Sequence, residues 1–146
     1  MKVKASVVYD SVYGNTERIA RAIGEAIGGQ VLRVGEVNPA DLKGSDLLIF
    51  GSPTHGGRFT PAFQGLLKAS PALEGVKVAA FDTRTMKWSQ IFGHAAPRIA
   101  QSLERKGGNL IALPEGFFVL DTKGPLKDGE IQRAATWAKQ IAAKLE

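Results

Sequence analysis

Three short segments carry most of the side chains able to do chemistry. The first, Asp10-Ser11-Val12-Tyr13-Gly14-Asn15-Thr16, supplies hydroxyls on Ser11 and Thr16, an amide on Asn15 and, at Gly14, a residue that lets the backbone turn tightly into a helix. Backbone N–H groups at a helix start, flanked by neutral polar side chains, suit an anion such as a phosphate. The segment holds no Lys or Arg, and no G-x-x-x-x-G-K-[ST] occurs, which disfavours a nucleoside triphosphate with magnesium. Gly, Asn and Thr also cap helices, so this segment alone fits either role. The second, Gly51 to Phe59, joins a rigid Ser52-Pro53-Thr54 to the pair Gly56-Gly57, with His55 and Phe59 as flat rings. Such a segment can lay backbone against a planar ligand, or serve as an ordinary surface loop. The third, Asp82-Thr83-Arg84-Thr85-Met86-Lys87-Trp88, adds hydroxyls and the ring of Trp88, which suits stacking or packing alike.

Each segment follows a short apolar run, and the runs alternate with amphipathic stretches. Ala5 to Tyr9, Leu47 to Phe50, Val76 to Phe81 and Leu110 to Leu113 read as buried strands, with Val31 to Val34 as a weaker fifth. Thr16 to Ile27 places Ile19, Ala22, Ile23, Ala26 and Ile27 on one helical face. Asn38-Pro39 reads as a cap and first helical residue, Pro61 starts another helix, and Pro97 to Lys106 continues a fourth that Gly107-Gly108 ends. A last helix, capped by Asp128, buries Ile131, Ala134, Ala135, Ala138, Ile141, Ala142 and Leu145. Strand and helix in alternation predict an α/β fold, a parallel sheet covered on both faces, with ligands at the carboxyl ends of the strands. The three segments then converge on one edge.

The 146 residues, 44% of them hydrophobic, predict a single domain spanning 1–146. Without cysteine there are no disulfides, iron–sulfur clusters, thiol nucleophiles or CxxC redox chemistry, so any redox role requires a bound cofactor. His55 and His94 form no metal-binding spacing, and no metal site is expected. The apolar start is too short for a secretory signal and no run suits a membrane helix, so a cytoplasmic protein is expected, with no membrane partner. A net charge of +5 permits acidic proteins, nucleic acid or anionic ligands as partners.

A phosphate cradle with two ring-bearing loops meets the needs of a mononucleotide with a large planar head, and here the sequence resembles the flavodoxin family. The resemblance rests on Tyr9 to Glu17 (YDSVYGNTE), Gly51 to Gly57 (GSPTHGG) and Gly124 to Ala138 (GPLKDGEIQRAATWA), in that order along nearly the whole chain. It implies a doubly wound, five-stranded parallel sheet of order 2-1-3-4-5 in a short-chain member, with FMN as cofactor. By the same resemblance Ser11, Val12, Tyr13, Gly14, Asn15 and Thr16 hold the FMN phosphate. Pro53, Thr54, His55, Gly56 and Gly57 line one side of the isoalloxazine, and Asp82, Thr83, Arg84 and Trp88 the other. Gly56 is the candidate for a peptide that turns its carbonyl toward flavin N5 on reduction. His55 stands where the family often has a stacking Trp.

The implied function is electron transfer without catalytic residues: a flavin cycling between oxidised, semiquinone and hydroquinone states, in a monomer or weak dimer. The alternative is an NAD(P)H-dependent FMN oxidoreductase reducing a quinone or flavin. No Asp or Glu lies between Leu47 and Leu73 or between Thr83 and Leu103, which leaves Arg58, Arg84 and Lys87 as the expected charges beside the flavin. Basic surroundings stabilise a reduced, anionic flavin and favour redox partners with acidic docking surfaces. Ser52-Pro53 at the third strand's end excludes a phosphorelay receiver, the missing G-x-S-x-G disfavours a hydrolase, and scattered basic residues without an aromatic platform disfavour a nucleic-acid binder.

Overall fold

Apolar runs without alternation form strands when both faces of a sheet are covered, and that is their fate here. The structure, a computed structural model, describes residues 3–86 and 93–145; Lys87 and Trp88 lie outside the described residues. Strands β1 (Ala5–Tyr9), β2 (Gln30–Arg33), β3 (Leu47–Pro53), β4 (Lys77–Thr85), β5 (Asn109–Leu110) and β6 (Glu115–Val119) form one sheet. Its order is β2-β1-β3-β4-β5, all parallel, and β6 also pairs with β4.

Alternate residues of each central strand feed opposite cores. Val7, Ile49, Ala79 and Phe81 pack on one face against Ile19 and Ile23 of α1 (Asn15–Ile27) and Ala134, Trp137 and Ile141 of α4 (Glu130–Ala143). Val8, Leu48, Phe50 and Ala80 pack on the other against Phe63 and Leu66 of α2 (Pro61–Ala69) and Ile99 and Leu103 of α3 (Ala95–Arg105). The doubly wound order is thus observed, with a sixth strand added.

That extra strand comes from a break. The expected strand Leu110 to Leu113 is in register only at Leu110, next to Asn109 beside the start of β4, and its last ladder bond runs from the Ile111 N–H to the Val78 oxygen at 3.1 Å. Pro114, which has no N–H to donate, follows an outward Leu113, and pairing resumes with Glu115–Val119 against the end of β4. The segment at Asn38-Pro39 stays a 3-10 turn, Pro39–Gly44, in which only Leu42 is buried; Asn38 caps it by accepting from the Ala40 N–H (3.1 Å). Asp128 does not cap α4: Gly129, at φ 88°, takes that position, and no side-chain cap forms. The helix buries Ala134, Ala138 and Ile141 of the expected stripe and adds Trp137, which the stripe left out, setting its ring edge-on to Phe81 and Phe117 at 6.2 and 5.9 Å.

Candidate functional site

Beyond the carboxyl ends of β1, β3, β4 and β6 lies a cleft of about 600 Å³. Helix termini reach this edge from both layers, and what satisfies their N–H groups separates them. At α2 the Thr60 hydroxyl accepts from the Phe63 N–H at 3.3 Å. At α3 Thr54 Oγ1 accepts from Ala95 N–H at 3.0 Å and Asp82 Oδ2 from Ala96 N–H at 2.9 Å.

Helix α1 is different. Gly14, at φ 94°, turns the chain into it without a side-chain cap. Ser11 Oγ accepts from the Gly14 and Glu17 N–H groups at 3.1 and 3.3 Å, which folds the loop back on itself and leaves the Ser11 hydroxyl proton to donate elsewhere. The N–H groups of Val12, Tyr13, Asn15 and Thr16 find no acceptor among the described residues, and all four residues line the cleft. Four N–H groups without an acceptor among the described residues, at and just before a positive helix end, are chemistry suited to an anion.

Behind this loop sits a charged cluster. Asp10 Oδ1 accepts from the Ser11 N–H at 2.9 Å, and Asp10 Oδ2 accepts from the Thr60 hydroxyl, tying the end of β1 to the start of α2. Glu17 pairs with Arg21 at 2.7 Å and Arg33 at 3.2 Å. The hydrogen bond from Arg21 holds the Glu17 carboxyl below its ordinary range, against a smaller opposing effect of burial. Burial and then the neighbouring Glu17 carboxylate push the Tyr9 phenol above its ordinary value.

The second loop is a tight hairpin. His55 and Arg58 exchange backbone hydrogen bonds at 2.9 and 3.1 Å across Gly56 and Gly57, whose φ angles of 58° and 80° favour glycine at both positions. Both glycines therefore serve the turn. Their carbonyls differ: Arg98 Nε donates to the Gly57 oxygen at 2.9 Å, while the Gly56 oxygen accepts no hydrogen bond among the described residues. The Tyr13 and His55 rings stand 6.4 Å apart at the cleft mouth. The third segment joins the first through a buried bond between Thr16 Oγ1 and Thr83 Oγ1, 2.7 Å long.

Most residues expected at the site line the cleft: Ser11, Val12, Tyr13, Asn15 and Thr16 from the first segment, Pro53 to Gly57 from the second, and Thr83 and Arg84 from the third. Gly14 shapes the turn without lining it, and Trp88 lies outside the described residues. Asp82, also expected at the site, is not among the lining residues. Its carboxylate is fully buried, off the cleft, and engages Arg84 through two bonds of 2.7 and 2.8 Å. Arg84 is therefore not an uncompensated charge beside the cleft, as its sequence neighbourhood implied. Thr85 of the third segment lines it too, and sequence reading missed Gly93, Val119 and Thr122, which do the same. Val119 and Thr122 follow the broken edge strand, and locating β6 correctly would have found them. Among the described lining residues there is no Asp or Glu.

Comparison with known proteins agrees along nearly the whole chain. The family model for flavodoxins matches residues 7–145. A flavodoxin of Maridesulfovibrio salexigens is 30% identical, the match covering 97% of this chain and 99% of the relative. A solved archaeal flavodoxin is 26% identical with a TM-score of 0.79, each chain covered to 97%. Oxidised flavodoxin 1 of Bacillus cereus, at 20% identity, superposes over 98% of this chain and 99% of its own with a TM-score of 0.85, a likeness of fold.

Proposed function

The chain belongs to the flavodoxin family of FMN-binding electron-transfer proteins, and from that premise we propose that residues 1–146 form a single FMN-binding domain acting as a one-electron carrier. When bound, FMN supplies redox chemistry that this cysteine-free chain lacks in its own side chains.

The observation that carries the reading is the open end of α1. The starts of α2 and α3 at this sheet edge are satisfied by Thr60, Thr54 and Asp82, whereas the N–H groups of Val12, Tyr13, Asn15 and Thr16 find no acceptor among the described residues and are open to an outside one. A phosphate ester, with several acceptor oxygens and charge near −2, fits that donor set. The Ser11 hydroxyl proton and the Asn15 amide supply further donors at the same place. Pro53 to Gly57 form one wall for the isoalloxazine and Thr83 to Thr85 the other, with Trp88 assigned there by family resemblance alone. The Gly56 carbonyl, which accepts no hydrogen bond among the described residues, is the group we assign to meet a proton on the ring edge.

The mouth supports the proposal that partners dock there. Val12 and Tyr13 are about half exposed, and Met86 and Leu120 more so, which puts four large apolar side chains on the loops around the cleft. Arg58 is exposed on the second loop, and Lys123 on the loop after β6 that also exposes Asp121; with no Asp or Glu lining the cleft itself among the described residues, a redox protein with an acidic rim is the partner we favour. Among the described residues no helix is long and apolar enough to cross a membrane, and we place the carrier in the cytoplasm as a monomer or weak dimer.

Incubating the FMN-loaded protein with NADH or NADPH and a quinone tests the carrier reading. Transfer between redox proteins without nicotinamide turnover is expected; sustained turnover would make the protein an NAD(P)H-dependent oxidoreductase.

A further inference from the structure

We infer that Arg33, the last residue of β2 and outside the cleft, is a positioning residue for phosphate recognition. The inference rests on the reading of the first loop as the phosphate cradle. Arg33 Nη1 donates to the Ser11 carbonyl oxygen at 3.0 Å. In a trans peptide the carbonyl of one residue and the N–H of the next point in opposite directions, and among the described residues only Gly124-Pro125 is cis. Holding the Ser11 oxygen from outside the cleft therefore turns the Val12 N–H inward, to the side where its acceptor would sit.

Arg33 has a second effect through charge. Asp10 and Glu17 flank the loop and would repel a phosphate. Arg33 stands 3.6 Å from Asp10 Oδ1 and 3.2 Å from Glu17 Oε1, and its guanidinium lies 5.1 Å over the Tyr9 ring. One planar group thus orients the peptide and compensates both carboxylates, a task suited to the guanidinium fork and less to an ammonium.

The test compares FMN with riboflavin, which lacks the phosphate, on the full-length flavin-free chain. Arg33→Met should weaken FMN roughly tenfold, the scale of one charge-assisted hydrogen bond, and leave riboflavin affinity within about twofold of wild type. Arg33→Lys, which keeps the charge but not the fork, should fall between. Binding of inorganic phosphate, followed by the Val12 amide NMR shift, should weaken in the same order without any flavin present. Equal weakening of FMN and riboflavin would reduce Arg33 to a stabilising residue, and unchanged selectivity in both variants would overturn the inference while leaving the cradle standing. Wild-type protein that does not distinguish FMN from riboflavin would overturn the cradle and the inference together.

Discussion

Replacing Asp82 by Asn converts the Asp82–Arg84 pair from a compensated unit into a buried positive charge. In the native chain Asp82 has no exposed surface and Arg84 is only 14% exposed, so neither group is much screened by water. Asn offers one acceptor oxygen for the demands of Arg84 Nε, Arg84 Nη2 and the Ala96 N–H, now bonded at 2.7, 2.8 and 2.9 Å. Removing one partner of a buried ion pair costs about 3–5 kcal/mol, and loss of a helix cap about 0.5–2 kcal/mol more where the Ala96 bond is lost. Urea unfolding of the flavin-free protein should show this loss, with a fall of roughly 10 °C or more in Tm. The double variant Asp82→Asn with Arg84→Met removes the stranded charge and should recover much of the stability. A single variant within about 1 kcal/mol of wild type, or a double variant as unstable as the sum of its parts, would refute the compensated-pair argument.

Glu130 accepts from the Phe118 N–H at 2.7 Å and from Arg133; burial raises its pKa, but these bonds outweigh it and hold the carboxyl below its ordinary value. Its contribution to stability is present above the unfolded pKa and lost as pH falls through the lower folded one, so Glu130→Gln should flatten the acid limb of the stability–pH curve, measured by denaturation from pH 7 to 3. Gly56→Ala meets no steric obstacle but must hold φ 58°, which costs about 1–2 kcal/mol in unfolding free energy; redox titration should also show a shifted flavin potential. Thr83→Ala leaves the buried Thr16 hydroxyl without its partner and should cost about 1 kcal/mol by denaturation; a gain in stability would argue against the bond.

The central strands were legible because burial on both faces writes an uninterrupted apolar run: β1 is observed at Ala5–Tyr9, the bounds expected. Strand β3 runs on through Gly51-Ser52-Pro53 because those residues pair with Phe81, Asp82 and Thr83, a register that no local pattern records. The edge strand was misread because the apolar Ile111 to Leu113 looks more strand-like than Glu115-Gly116-Phe117, yet Leu113 is 85% exposed and Phe117 is buried. Asp82 illustrates a signal present and unread. Residues i and i+2 on a strand share a face, so Asp82-x-Arg84 could have been read as an ion pair, with Gly116 on the adjacent strand leaving room for the guanidinium. Arg33 carried no such signal, since its bond to Ser11 spans 22 positions and depends on β2 lying beside β1.

The most direct measurement is an anaerobic reductive titration of the FMN-loaded protein, followed by its visible spectrum and by electron paramagnetic resonance. The carrier account predicts a plateau at one electron per flavin with a radical signal, and full bleaching only at lower potential. Conversion in a single two-electron step, with no radical at any point and with catalytic oxidation of NADH or NADPH, would contradict it.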